Sequence, residues 1–216
     1  ENSFRGTRAA MDLVQNLTAE DTVVFLVSGG GSALFESPLV PGGDLARLTK
    51  DLLACGADIV EMNTLRKRLS AVKGGKFVQL CAPAQVYAIV LSDILGDPLD
   101  MIASGPAYPD SSTREDAWAA VEKYNLSLTD EMKALLDVET PKQLDNVETV
   151  ITGSVRELCA AAAQACRQLG YEPTVLTDRL CCQAKEAGSF LASIAKSHED
   201  SDHALAFLVG GVTVVQ

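Results

Sequence analysis

Histidine is almost missing from this 216-residue chain. Only His198 and His203 occur, both in a polar, acidic stretch. Their expected home is a surface loop, which argues against chemistry built on histidine. Metal-type cysteine spacing is missing too. Cys55, Cys81, Cys159, Cys166, Cys181 and Cys182 mostly sit among apolar residues, and none is spaced with histidine as a ligand set would be. They read as small buried hydrophobes in a reducing compartment, with no vicinal disulfide or metal clip expected at Cys181-Cys182. Positive charge is scarce: 18 Lys and Arg stand against 29 Asp and Glu, a formal charge of −11. That balance argues against a nucleic-acid or anionic-membrane partner, because phosphate surfaces need a cationic face. No apolar run is long enough to span a bilayer. Neither common phosphate signature is present. No Lys-Ser/Thr pair follows the glycines as a Walker loop requires, and no Gly-x-Gly-x-x-Gly opens a helix.

What the chain does have is the run Val23-Val24-Phe25-Leu26-Val27-Ser28-Gly29-Gly30-Gly31-Ser32. A β-branched apolar strand of this kind is usually buried in a parallel sheet. Glycines at its carboxyl end let the backbone turn sharply and bring N–H groups close to a ligand, as in sites for phosphate or carboxylate oxygens. A tight strand-to-loop turn without a ligand would use the same residues.

The pattern elsewhere is α/β. Helices are expected at about 7–17, from Leu45 to Cys55 with Asp44 as N-cap, and from Asp58 to about Val72 with Asp58 and Glu61 as a capping box. Another short helix is expected at 75–81, then a strand at 86–92, a loop at 93–113, and helices near 114–124 and 129–137. A βαβ series follows: strand 147–152, a helix capped by Ser154 and Glu157, strand 171–177, a helix at 183–197 and strand 204–209. The alternation implies a mostly parallel sheet with helices on both faces, forming one large domain. A start at Glu1 and an end on Val214-Val215-Gln216, inside an apparent strand, mark the chain as an internal piece of a longer protein.

Ligands of open α/β sheets bind beyond the carboxyl ends of strands. Three such ends carry unusual residues: Ser28 to Ser32, Ser92 to Pro98, and Thr152-Gly153-Ser154. In the second, Asp93 and Asp97 are paired carboxylates that suit Mg²⁺, or they form a polar turn by capping local N–H groups. Ala103-Ser104-Gly105-Pro106 is a further small-residue loop able to approach a ligand. On the helix from Asp58, the residues Asn63, Arg66, Lys67 and Ser70 share one stripe, opposite Met62, Leu65, Leu69 and Val72. Arg and Lys there can clamp phosphoryl or carboxylate groups. The competing reading is cations at a helix C-terminus complementing its dipole, and that suits Lys73 and Lys76.

Taken together, Leu26 to Leu34, Asn63 to Lys67, Leu69 to Gly75, Ser92 to Asp97 and Ile102 to Pro106 resemble the type-2 glycerate kinase family. The resemblance covers nearly the whole chain and is densest from about 23 to 113. It implies a Rossmann-like domain, residues 1–216, incomplete at both ends and the larger of two, with the smaller C-terminal domain absent. It implies a cytoplasmic ATP-dependent kinase that phosphorylates D-glycerate at its 2-hydroxyl, with ATP and Mg²⁺ as cofactors; organellar targeting and homodimerisation are left open. Glycerate or phosphate contacts would fall to Ser28, Gly29, Gly30, Gly31, Ser32, Asn63, Ser104 and Gly105. Arg66, Lys67, Asp93 and Asp97 would be catalytic, with Asp93 and Asp97 also on the metal. The family reads Gly-Gly-Glu where this chain has Gly210-Gly211-Val212: either an acidic site residue is lost or residues are missing there. Two alternatives stand beside the kinase: an NAD(P)-dependent hydroxypyruvate reductase, and a non-catalytic ligand-binding relative.

Overall fold

The computed structural model describes residues 2–92 and 99–213. They fall into two compact units. The first holds residues up to Val90 and from Leu99 to Val150; the second holds Leu91, Ser92 and the chain from Ile151 onward.

In the first unit, α1 (Asn2–Val14) leads into β1 (Thr22–Val27) and a four-residue helix α2 (Gly31–Leu34). Next come α3 (Gly42–Ala54), α4 (Ile59–Arg68), α5 (Lys76–Cys81) and β2 (Gln85–Leu91). A 3₁₀ turn (Ile102–Ser104) interrupts the expected loop, followed by α6 (Arg114–Lys123), α7 (Asp130–Leu136) and β3 (Val147–Gly153). Strand order is β1-β2-β3. Strands β1 and β2 are parallel and in register from Thr22↔Gln85 to Val27↔Val90.

Alternation along the strands decides what packs. Val23, Phe25, Val86, Ala88 and Val147 meet Val14, Phe77, Val78 and Cys81 from α1 and α5. Phe25, Phe35 and Phe77 form a ring cluster with centroids 4.8–5.5 Å apart. Val24, Leu26, Tyr87 and Val150 point the other way and remain exposed. A second core lies among α3, α4, α6 and α7, built on Leu48, Leu52, Leu65, Leu69, Met132 and Leu136.

In the second unit, α8 (Val155–Gln168) packs on the parallel pair β4 (Glu172–Leu180) and β5 (Leu205–Gly211), and α9 (Ala184–Ser197) joins the two strands. Glycine is required at position 210, because a Cβ there would strike Cys159 and Val155 of α8.

Several local expectations are corrected. The first helix starts at Asn2 and ends at Val14 instead of spanning 7–17. Pro41, not Asp44, is the N-cap of α3: its carbonyl takes the N–H groups of Asp44 and Leu45, and Asp44 sits in the first turn beside Arg47. The Asp58/Glu61 capping box forms as expected, but α4 stops at Arg68, not Val72. The chain is drawn off the helix axis there by two backbone hydrogen bonds to the Ser37–Leu39 segment, from Leu39 N–H to the Leu69 carbonyl and from Ala71 N–H to the Ser37 carbonyl. Of the six cysteines only Cys81 and Cys159 are buried; Cys55 and Cys181 are exposed, because the helix and loop ends that carry them face solvent. His198 and His203 are exposed, as expected.

Candidate anion-binding site

β1 ends at Val27, and Ser28, Gly29 and Gly30 emerge exposed at its carboxyl end. Gly30 turns the chain with φ +85°, a conformation that favours glycine. Its carbonyl then accepts the N–H groups of Ala33 and Leu34, starting α2. The N–H groups of Gly29, Gly30, Gly31 and Ser32 donate to nothing among the described residues. A cavity of about 190 Å³ adjoins the loop; Ser28, Gly29 and Gly31 line it beside a mostly apolar wall of Phe25, Leu26, Val27, Leu34, Phe35, Ala103 and Pro106. That is below the roughly 300–1,000 Å³ of drug-sized pockets.

Two other elements converge on Ser32, just past the glycines. From α4, the Asn63 amide oxygen accepts from Ser104 Oγ at 3.1 Å, and Arg66 Nη2 donates to the Ser32 carbonyl at 3.2 Å. From the 3₁₀ turn, Ser104 Oγ also lies 3.4 Å from Ser32 Oγ. Ala103, Ser104 and Gly105 all have positive φ, a backbone strain that L residues adopt only where the surroundings hold it. Gly74 and Gly75 do the holding, donating their N–H groups to the Ser104 and Gly105 carbonyls at 3.0 and 2.7 Å. The structure thus brings together Ser32, Asn63, Arg66 and Ser104, with the glycine loop in front of them.

Lys67 lies elsewhere. Its ammonium is buried and paired with Asp110 at 3.0 Å and Asp100 at 3.4 Å. Ser70 has left the helix and accepts the Val72 N–H within a turn. Lys76 behaves as the dipole reading expects: its ammonium donates to the carbonyls of Lys67, Arg68 and Ser70 at the end of α4. Lys73 does not. It runs under the glycine loop, and Nζ donates to the Ser32 carbonyl at 2.9 Å and the Ala103 carbonyl at 3.3 Å. Burial pushes both lysines down to about 8. Glu36 is the acidic member of this cluster, with Oε2 at 3.8 Å from both Arg66 Nη2 and Lys73 Nζ. The sequence offers only a faint signal for it, an acid set between Phe35 and Ser37-Pro38. Asp93 and Asp97 lie outside the described residues. Val212, where the resemblance leads one to expect Glu, is exposed in the second unit and donates its N–H to the Leu180 carbonyl.

Glycine carries different weight at 30 and 31. A Cβ on Gly30 would meet only Leu34 Cδ1, at 3.4 Å, whereas one on Gly31 would sit 2.6 Å from the Ala103 Cβ. Gly30→Ala is expected to cost about 1 kcal/mol through its positive φ. Gly31→Ala is expected to cost about 1–3 kcal/mol by overpacking and to part the loop from the Ala103 turn. Melting curves of the full-length variants check this; a Gly31→Ala protein that melts with wild type would show that the two loops are not in contact.

A parallel α/β unit with an open glycine loop, an arginine and a buried serine at one strand end places the chain in the Rossmann-like class, whose ligands bind beyond strand ends. A domain of unknown function, DUF4147, matches residues 1–137, and the chain is 48% identical over 221 residues to the D-glycerate 2-kinase of Thermotoga maritima. The chain belongs to this DUF4147 glycerate kinase family. The Thermotoga alignment covers 100% of this chain and 53% of that protein. The glycerate kinase of Danio rerio is 38% identical over 185 residues, covering 79% of this chain and 37% of that protein. The crystal structure of the Thermotoga maritima glycerate kinase matches with a TM-score of 0.91 at 47% identity, over 100% of this chain and 54% of that one. The chain therefore spans about half the length of the Thermotoga relative and less of the zebrafish one.

Proposed function

We propose that the protein is an ATP-dependent kinase that transfers a phosphoryl group to the 2-hydroxyl of D-glycerate. The observation that carries the reading is the meeting of the Arg66 guanidinium with an open glycine loop, in a chain 48% identical along its whole length to a D-glycerate 2-kinase. Phosphoryl transfer asks a protein for positioning and charge neutralisation more than for covalent chemistry. Ser28, Gly29, Gly30, Gly31 and Ser32 supply N–H and hydroxyl donors to anionic oxygens. Arg66 spends one donor on the Ser32 carbonyl, and its Nε is buried without a partner among the described residues. It is the cation for the glycerate carboxylate or the transferring phosphoryl group. Asn63, Ser104 and Gly105 shape the wall behind. Lys67, engaged by Asp110 and Asp100, fixes α4 and thereby Arg66, so the contact role falls to Arg66.

ATP supplies the phosphoryl group when bound, and the donor set of N–H groups and guanidinium fits its charged oxygens. Among the described residues no group of three or more His, Cys, Asp and Glu could hold a metal ion. On sequence grounds the Mg²⁺ role is assigned to Asp93 and Asp97. The reductase alternative finds less support. The glycines are consecutive, and the helix they open is four residues long, too short for the helix that carries a dinucleotide pyrophosphate.

The test is the full-length protein with D-glycerate and ATP, its product identified by phosphorus NMR. 2-Phosphoglycerate is expected, with turnover abolished by chelation of Mg²⁺ and the Mg²⁺ requirement raised in Asp97→Asn. Absence of any phosphorylated glycerate would overturn the reading, and 3-phosphoglycerate would overturn its regiochemistry.

A further inference from the structure

Beneath the glycine loop, Arg66 shares a charge cluster with Lys73 and Glu36, which the contacts assigned above do not use. Lys73 is fully buried, its side chain 0% exposed. Its ammonium donates to two carbonyls from different loops: Ser32, just past the glycines, and Ala103, in the strained 3₁₀ turn. One group thus ties together the two segments that line the cavity. Two charged groups face it. Glu36, from the segment after α2, lies 3.8 Å away, and Arg66, from α4, shares the Ser32 carbonyl. The 3₁₀ turn presents only carbonyl oxygen. Lys76 on α5 is turned toward the carbonyls at the end of α4, while Lys67, Asp100 and Asp110 form a separate network.

The cluster is not neutral. Two cations share one carboxylate, and neither Glu36 oxygen has a hydrogen bond among the described residues. Glu36 is held in place by its backbone, whose N–H donates to Thr7 Oγ1 at 3.0 Å. A dry cluster with one surplus positive charge is costly unless an anion sits nearby. The open N–H groups of the glycine loop are where such an anion would bind.

We propose that Lys73 is a positioning residue: its charged ammonium clamps the glycine loop to the Ala103–Ser104 turn, and the loop accepts its anionic ligand only in that state. The inference rests on the anion-binding reading of the loop. Binding and protonation are then linked. A ligand that prefers charged Lys73 must raise its proton affinity by the factor that protonation raises ligand affinity. Burial, aided by Arg66 and opposed by Glu36, lowers Lys73 to about 8, so the linkage falls within an accessible range.

Two measurements on the full-length protein test this. The first is hydrogen exchange without ligand, corrected for intrinsic rates, at the hydrogen-bonded amides of 33–35 and 104–105. Lys73→Met should lower protection there by about ten-fold or more, the scale of one charge-assisted hydrogen bond. Wild type should lose protection as pH rises through about 8. Lys73→Arg, charged throughout, should not. Glu36→Gln should move the loss to lower pH, because the carboxylate is what favours the ammonium. The second is the pH profile of kcat/KM for D-glycerate, with the same ordering: an alkaline fall in wild type, none in Lys73→Arg, an earlier fall in Glu36→Gln. Unchanged protection in Lys73→Met, or a wild-type alkaline fall in Lys73→Arg, overturns the clamp. A protein that phosphorylates no glycerate but loses loop protection in Lys73→Met refutes the kinase reading and keeps the clamp. Normal protection with normal turnover does the reverse.

Discussion

Asp110→Ala should destabilise the protein by roughly 3–5 kcal/mol, the cost of stranding buried charge. Asp110 is buried, and its carboxylate accepts from Lys67 Nζ at 3.0 Å, Thr140 Oγ1 at 2.8 Å and the Ser112 N–H at 3.0 Å, with Arg68 Nη1 at 3.7 Å. Without it, Lys67 keeps only Asp100 at 3.4 Å, and Arg68 keeps Glu139 at 2.8 Å. Asp110→Asn retains the shape and loses the charge, so it should fall between wild type and alanine. Burial pushes the Asp110 carboxyl up, but Lys67, Ser112 and Thr140 together hold it below its ordinary 3.8. A carboxyl lowered in the folded state contributes stability that is present above its unfolded value and lost as pH falls through the folded one. Wild type should therefore lose stability below about pH 4, and Asp110→Asn should lack that part of the acid limb. Urea unfolding at pH 7 and pH 3.5 measures both effects; an alanine variant as stable as wild type at pH 7 would mean the network is incidental.

Asp110 also shows where sequence reading stops. It lies 43 positions from Lys67 along the chain, and no local pattern joins them. What local pattern can specify was legible. The β-branched run into Ser28-Gly29-Gly30 marks β1 and its turn, because the residues themselves require that backbone. The Asp58/Glu61 box marks the start of α4, because both partners lie within one turn. Asn63 and Arg66, three apart, were placed on one face and do reach one site.

The end of α4 was not legible, and the error has consequences. Helical periodicity continues through Leu69 and Val72, so the pattern extends the helix, but tertiary bonds to Ser37 and Leu39 end it at Arg68. An unbroken helix would have left Lys73 as one more cation near a C-terminus. The bend instead carries it beneath Ser32, while Lys76 takes the capping role. Two lysines three residues apart thus differ in their partners for a reason that only the fold contains. Glu36 was missed on similar grounds. Its importance comes from being buried 3.8 Å from two cations that lie 30 and 37 residues further along.

Arg66→Ala should lower glycerate turnover by about ten- to a thousand-fold, since one lost donor to an oxyanion costs roughly 2–4 kcal/mol. Its effect on folding should be much smaller. The guanidinium makes one carbonyl bond at 3.2 Å and a loose ion pair at 3.8 Å, and its side chain is 19% exposed. Lys73 still holds the Ser32 carbonyl when Arg66 is removed, so the loop keeps an anchor. Arg66→Lys separates charge from geometry. A lysine restores a point charge near the loop but not the planar fork that grips two oxygens at once. It should recover part of the lost kcat/KM, and less where two oxygens of one group must be held together. Steady-state kinetics and melting curves on the same preparations give both readouts. A variant that melts normally and turns over glycerate at the wild-type rate would reduce Arg66 to an anchor for α2, and the anion would then have to be held by the N–H groups of the glycine loop alone.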